Sequence, residues 1–318
     1  MNDSSAIFGK GIAVFGGAVF DRKYQARAPL VPGTSNPVDS SHSHGGVARN
    51  IAENLVRLGV PTAFHSIVGD DEAGSALVNH MRRLGADVSG VACSGERPTA
   101  EYVAVLETDH ELALGIADMA IFDLYTEAHL DTAWPTAEQA GWILADCNFQ
   151  PGIIYALGER CKRAAVKLAI NTVSAPKAIK LRGMEGAIDL LFTNRDEANA
   201  LLGRDLAADA PSAAEALCES GVKAAVVTDG GRGYAILENG VVSWHPAVPA
   251  TPVDITGAGD AFVAGTLCRL CAGDGLAQAA RAGALLAART TETLESVLPD
   301  LSPAFFTADS PAAPGSAS

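Results

Sequence analysis

The sequence predicts an α/β protein: a three-layer α/β/α core around a mostly parallel central sheet, with a small β-sheet lid attached. Short apolar runs closed by glycine alternate with amphipathic stretches along most of the 318 residues. Hydrophobic residues make up 48% and charged residues 19%, enough apolar mass to cover a sheet on both faces. One segment, 99–119, breaks the alternation with two adjacent period-2 runs, the pattern of a hairpin inserted into an α/β rhythm.

In chain order, residues 11–17 (GIAVFGG) read as a buried parallel strand. Residues 45–58 read as a glycine turn feeding a helix, with Ile51, Asn54, Leu55 and Leu58 at helical spacing. A second strand is expected at 63–68 (AFHSIV). The helix expected at 71–84 begins acidic and ends on Arg82 and Arg83, as the helix dipole favours. The runs 101–107 and 111–119, parted by Thr108, Asp109 and His110, form a flap over one edge of the main sheet; residues 18–44 carry few helix signals and are free to pair with it. Further strands are expected at 141–146, 166–171, 190–193 and 224–228, with helices between them, including 151–165 and 196–202. A late hairpin, 234–237 with 241–248, precedes two helices at 257–271 and 276–289. Residues 1–308 thus read as one domain whose lid comes from about 16–44 and 97–123, and the Ser/Pro/Ala/Gly-rich 309–318 as a flexible tail.

The net charge of −14, with no run of five Lys/Arg, sets nucleic-acid polymers aside as partners. Six scattered cysteines read as free thiols. Cys268 and Cys271 have CxxC spacing, but they lie in a helical stretch with no second pair to complete a metal site. His42 and His44, in the polar run 39–44 with no third ligand nearby, read as part of a solvated loop. The start of the chain lacks a basic-then-apolar signal and no apolar run reaches transmembrane length; the expectation is a soluble, cytoplasmic protein with no membrane partner.

The chemistry concentrates at Asp254-Ile-Thr-Gly257-Ala258-Gly259-Asp260, just before an apolar helix. Small residues let backbone approach a ligand, and the first N–H groups of a helix have no internal partner, so this turn can form an anion site. A carboxylate beside such a site suits in-line transfer to an alcohol: Asp260 takes the proton and the amides hold developing charge. On these residues alone, a capped helix after a tight turn is an equally good reading. Asn194 and Glu197, one helical turn apart, can likewise be a cap pair, Asp21 a turn residue and Asn50 a local backbone partner.

The segment resembles the C-terminal signature of the ribokinase (PfkB) family of carbohydrate and nucleoside kinases. The family's other signature is matched by Gly45-Gly46-Val-Ala-Arg-Asn50-Ile-Ala52 continuing to Gly59 and Gly69, its Asn-x-x-Glu element by Asn194 to Glu197, and its nucleotide turn by Thr228-Asp-Gly-Gly231-Arg-Gly233. The resemblance covers nearly all of 11–300 and implies a ribokinase-like fold. It implies Asp260 as general base and the N–H groups of Gly257, Ala258 and Gly259 as anion hole. It implies ATP as donor, with Thr228, Gly231 and Gly233 lining the nucleotide site and Asn194 and Glu197 organising Mg²⁺ and its waters. Asp21, Gly45, Gly46 and Asn50 would hold sugar hydroxyls, and Asp254 with neighbouring carbonyls would hold a monovalent cation such as K⁺. Position 255, often polar in the family, is Ile here, so that cation role would fall to its backbone carbonyl. A homodimer formed through the lid is a further implication.

A narrower resemblance, to pseudouridine kinases, rests on residues 16–24 (GGAVFDRKY), 33–38 (GTSNPV), 46–59 and 113–119. It implies pseudouridine as acceptor, with Asp21 and Asn50 on the ribose. The Asn36 amide can answer the uracil edge, and Thr34 and Ser35 add hydroxyls. An acceptor atom in 34–36 would favour the free ring N–H of the C-nucleoside over uridine. Other acceptors of the same class are another nucleoside, ribose or a keto-sugar acid; a catalytically silent nucleoside-binding protein is the rival from a different class. A dehydrogenase lacks support, because Gly9-Lys-Gly11 precedes its strand and Gly231-Arg-Gly233 leads into one. No G-x₄-GK[ST] run is present either.

Overall fold

The computed structural model describes residues 8–203 and 208–308; the tail expected at 309–318 lies outside the described residues. The chain opens with β1 (Ile12–Phe15), then leaves the core for two lid strands, β2 (Val19–Ala26) and β3 (Val38–Gly45), before α1 (Val47–Arg57). Next come β4 (Thr62–His65), β5 (Ile67–Gly69), α2 (Glu72–Leu84), β6 (Ala92–Ser94), and the hairpin β7 (Glu101–Leu106) and β8 (Leu112–Asp118). The α/β rhythm resumes with α3 (Glu127–Ala137), β9 (Trp142–Asp146), α4 (Pro151–Ala164), β10 (Lys167–Asn171) and the single turn α5 (Ala175–Ala178). β11 (Leu190–Asn194), α6 (Arg195–Leu202), α7 (Ala210–Glu219) and β12 (Ala224–Thr228) follow. The described chain then runs through the hairpin β13 (Tyr234–Glu238) and β14 (Val241–His245) to the helix pair α8 (Ala258–Cys271) and α9 (Leu276–Thr291).

Among the described residues, eight strands form the central sheet in the order β14-β13-β12-β11-β10-β9-β1-β4, parallel from β12 to β4 and antiparallel at the β13 and β14 edge. Strand side chains alternate between faces, so each strand serves two cores. Phe15, Ala145 and Ile170 point into one with Leu130 of α3, Ile154 of α4, Leu201 of α6 and Leu217 of α7. Val14, Leu144 and Ala169 point into the other with Ile51 of α1, Leu77 of α2, Ala264 of α8 and Ala284 of α9. The result is the expected three-layer arrangement. The carboxyl ends of the parallel strands carry Asp146, Asn171, Asn194 and Thr228, which brings polar side chains to one rim of the sheet.

Two sequence expectations need correction. The single strand expected at 63–68 is two strands, because the buried Ser66 hydroxyl donates to Gly16 O (2.6 Å) while its carbonyl accepts from Ala92 N (2.8 Å). These bonds turn the chain out of the main sheet, and β5 pairs with β6 in a separate two-stranded sheet. His42 and His44 lie on a strand, not in a loop. β3 is the edge of the four-stranded lid sheet β3-β2-β7-β8, which explains its polar sequence. His42 stacks on Phe20 (ring centroids 5.4 Å apart) and His44 lies 4.6 Å from the ring of His80 on α2.

The lid alternates as well. By register, Asp21, Ser43 and Tyr102 share one face, while Arg22, His42, Val103 and Ile116 share the other. Among the described residues no helix is long and apolar enough to cross a membrane.

Candidate active site

Helix α8 begins on Gly257, whose φ of 81° is left-handed. A Cβ there would lie 2.0 Å from Ser296 O, so this turn requires glycine. The turn delivers Gly259 to a cavity wall and Asp260 to the third helical position. The N–H of Ala258 bonds Ile255 O at 3.2 Å across the turn. The side chain of Asp260 is buried, 8% exposed, and its Oδ2 accepts from Asn50 Nδ2 at 2.7 Å. Burial pushes this carboxyl up to about 7; the Asn50 hydrogen bond and the Arg49 guanidinium pull it down, and Asp146 and Asp21 push it up. A carboxyl poised near neutral pH is suited to accept an alcohol proton.

Asn50 comes from the first glycine signature, 210 residues away in sequence. That signature is shaped to reach the site. Gly46 caps α1 with φ 96°, and a Cβ there would lie 2.4 Å from Gly17 O. A Cβ on Gly45 would lie 2.0 Å from the Asp21 carboxylate, so the lid strand β2 sets its acid directly against the signature. Burial pushes Asp21 up to about 6, opposed by Arg49 and Lys23.

A third carboxylate organises this corner without having been foreseen. Asp146, fully buried at the end of β9, accepts from Gly17 N (3.0 Å), Ala48 N (3.1 Å), Asn148 N (2.9 Å) and Asn148 Nδ2 (2.7 Å). It therefore pins the β1 turn to the α1 N-terminus, where a carboxylate is favoured. The one signal for it in sequence is an Asp closing an otherwise apolar strand.

Across Asp260, a cavity is lined by Asn171, Asn194, Glu197, Thr228 and Gly259. Asn194 and Glu197 form a reciprocal cap: Asn194 Oδ1 accepts from Glu197 N (2.8 Å) and Glu197 Oε2 from Asn194 N (3.2 Å). Asn194 Nδ2 also donates to Glu197 Oε1 (2.8 Å), and Thr172 Oγ1 donates to Glu197. The cap and the cavity wall are thus the same pair. Among the described residues no three His, Cys, Asp or Glu side chains are grouped to cage a metal. A carboxylate already accepting three hydrogen bonds fits Mg²⁺ only through water, the usual manner for an ion carried by phosphates.

Other predicted residues take separate places. Gly231 sits in an exposed turn after β12, and Gly233 (φ 121°) must be glycine because a Cβ would lie 2.2 Å from His245 O. Asp254 Oδ1 accepts from Thr256 N (2.8 Å) and its Oδ2 lies 3.8 Å from Lys23 Nζ; Ile255 is exposed. Thr34 and Ser35 are exposed and Asn36 is half-buried in the loop joining β2 to β3, at the lid end away from Asp21. Asn36 spends its amide on that loop, accepting from Val31 N (2.8 Å) and donating to Val31 O (3.0 Å) and Thr34 O (3.2 Å).

The description pfkB family carbohydrate kinase matches residues 10–300. The pseudouridine kinase of Escherichia coli (strain K12) is 30% identical over 257 residues, which cover 80% of this chain and 82% of that protein. A carbohydrate kinase structure from Agrobacterium tumefaciens superposes with a TM-score of 0.84 at 31% identity, covering 94% of this chain and 96% of that one. Arabidopsis thaliana ribokinase complexed with ribose and ATP shares the fold, with a TM-score of 0.78 at 21% identity over 92% of this chain and 96% of that one.

Proposed function

Because the chain belongs to the pfkB family of carbohydrate kinases, we propose that it transfers the γ-phosphate of ATP to the 5′-hydroxyl of pseudouridine, giving pseudouridine 5′-phosphate. The observation that carries the reading is the Asp260 carboxylate at the mouth of α8, bonded at 2.7 Å to Asn50 of the other glycine signature. Asp260 removes the proton of the attacking hydroxyl. The helix N-terminus around Gly257, Ala258 and Gly259 stabilises the charge that develops on the transferring group. Asp21 and Asn50, with Gly45 and Gly46 giving close backbone approach, hold the ribose hydroxyls. Thr228, with Gly231 and Gly233 beyond it, flanks the nucleotide. Glu197 and Asn194 would hold Mg²⁺ through its waters, and the ion would supply neutralisation of phosphate charge. Asp254 offers a site for a monovalent cation once Lys23 swings away.

The choice of acceptor is supported by the likeness to the E. coli pseudouridine kinase. Thr34, Ser35 and Asn36 are the base-reading candidates, and they reach the acceptor by folding of the lid over it. Leu114 and Ile116 on β8 are about half exposed, and a second copy of the chain is the proposed cover for that face. ATP consumption measured with pseudouridine, uridine, inosine, ribose and a keto-sugar acid tests the reading. Highest kcat/KM on pseudouridine supports it; a faster sugar or purine nucleoside overturns the acceptor, and no turnover with any of them overturns kinase activity.

A further inference from the structure

Arg49 precedes Asn50 and is only 3% exposed, although nothing in its sequence position calls for a buried cation. Its planar guanidinium is shared among four acceptors. Nε donates to Gly45 O (3.3 Å), Nη1 to Glu53, and Nη2 to both His44 O and Asn50 Oδ1. The last of these matters for Asn50. With Oδ1 accepting from Arg49, Nδ2 is the atom left to face Asp260, and it donates there at 2.7 Å. A flipped amide would set oxygen against carboxylate oxygen and nitrogen against guanidinium.

We propose that Arg49 is a positioning residue for phosphoryl transfer: it locks the Asn50 amide in the orientation that donates to Asp260 and ties that orientation to the root of the lid at His44 and Gly45. The proposal rests on Asp260 being the base. Arg49 is itself braced from the rear. Glu53 is held by Arg57 (2.7 Å) and by His80 Nε2 (2.8 Å) as well as by Arg49, and these partners hold its carboxyl down to about 2 against burial. The charged groups facing Asp260 are Arg49 from α1, Asp21 from β2 and Asp146 from β9. Those facing Arg49 are Glu53, Asp21 and Asp260, with His44 of β3 beside it. Lysine keeps the charge but cannot span a backbone carbonyl, a carboxylate and an amide with one flat fork.

The test uses the full chain with Asp carboxyls ¹³C-labelled, the Asp260 signal assigned by its loss in Asp260→Asn. Titration of that carboxyl needs no acceptor; kcat and KM are read with ATP and the fastest acceptor of the panel above. Arg49→Lys retains the charge but loses the fork that orients the Asn50 amide, so the Asp260 midpoint is expected to rise, though by less than in Asn50→Ala, and kcat to fall about 10- to 100-fold. Arg49→Gln removes a positive charge that pulls the carboxyl down, so its midpoint is expected above wild type. Arg49→Gln/Glu53→Gln, which leaves no unpaired buried carboxylate, takes its place if the single variant does not fold. Folded Arg49→Lys with wild-type kcat, or a Gln variant with an unmoved Asp260 midpoint, would overturn the positioning role while leaving Asp260 as base. Retained turnover in Asp260→Asn would overturn both.

Discussion

Replacing Asn50 by Ala removes the hydrogen bond that steadies the charged form of Asp260. The bond is short, 2.7 Å, and lies in a buried corner. A hydrogen bond to a charged group is worth about 1.5–3 kcal/mol, and one pH unit corresponds to about 1.36 kcal/mol. The carboxyl, already lifted to about 7 by burial, should therefore rise by a further one to two units, roughly. A base acts when deprotonated, so activity grows as pH rises through its midpoint. At pH 7 the ionised fraction would fall from about half to between about a tenth and a hundredth, a drop of about 5- to 50-fold in kcat, recovered at high pH. The assay is initial-rate transfer from ATP between pH 5 and 10. Loss of the acceptor contact raises KM at every pH, whereas the displaced ascending limb of kcat reports the base. An Asn50→Ala profile with its limb at the wild-type midpoint would refute the reasoning.

Gly257→Ala places a methyl 2.0 Å from Ser296 O at a left-handed φ; it should destabilise by about 2–5 kcal/mol, read by thermal unfolding, and lower turnover in whatever fraction folds. Asn36→Ala should narrow the kcat/KM preference for pseudouridine over uridine, and an unchanged ratio would remove Asn36 from base reading. His65, stacked on Phe15 at 4.3 Å, is held down to about 4 by burial. Its neutral form is favoured by folding, so stability is full above about 6.5 and is lost as pH falls toward 4, by about 3 kcal/mol. His65→Phe should flatten that acid loss in urea unfolding from pH 7 to 4, and an identical slope would clear His65 of it.

The parts legible in sequence were those whose physics is local. Glycines at 46 and 257 mark turns that need left-handed backbone or close approach, and the apolar runs after them can only be helices packed on a sheet. Asn194 and Glu197 carry a cap pattern that the structure realises within one turn of helix. What escaped the sequence depends on partners distant in the chain. Asp146 looks like the polar end of an apolar strand until Gly17 and Ala48 are brought to it. Nothing in the sequence marks Arg49 as buried, because its acceptors at His44, Gly45 and Asn50 converge only when the lid strand returns to the core. The break at Ser66 is set by a single hydroxyl reaching Gly16, which no periodicity records. His42 and His44 sit on an exposed edge strand, where polar residues are expected and imitate a loop.

The most direct measurement is the turnover of Asp260→Asn with ATP and pseudouridine, set beside acceptor binding by calorimetry on the same protein. Because Asn preserves the size of the side chain but cannot take a proton, kcat should fall by about 10²- to 10⁴-fold while the acceptor still binds. Turnover within a few-fold of wild type would contradict the assignment of proton removal to this carboxylate.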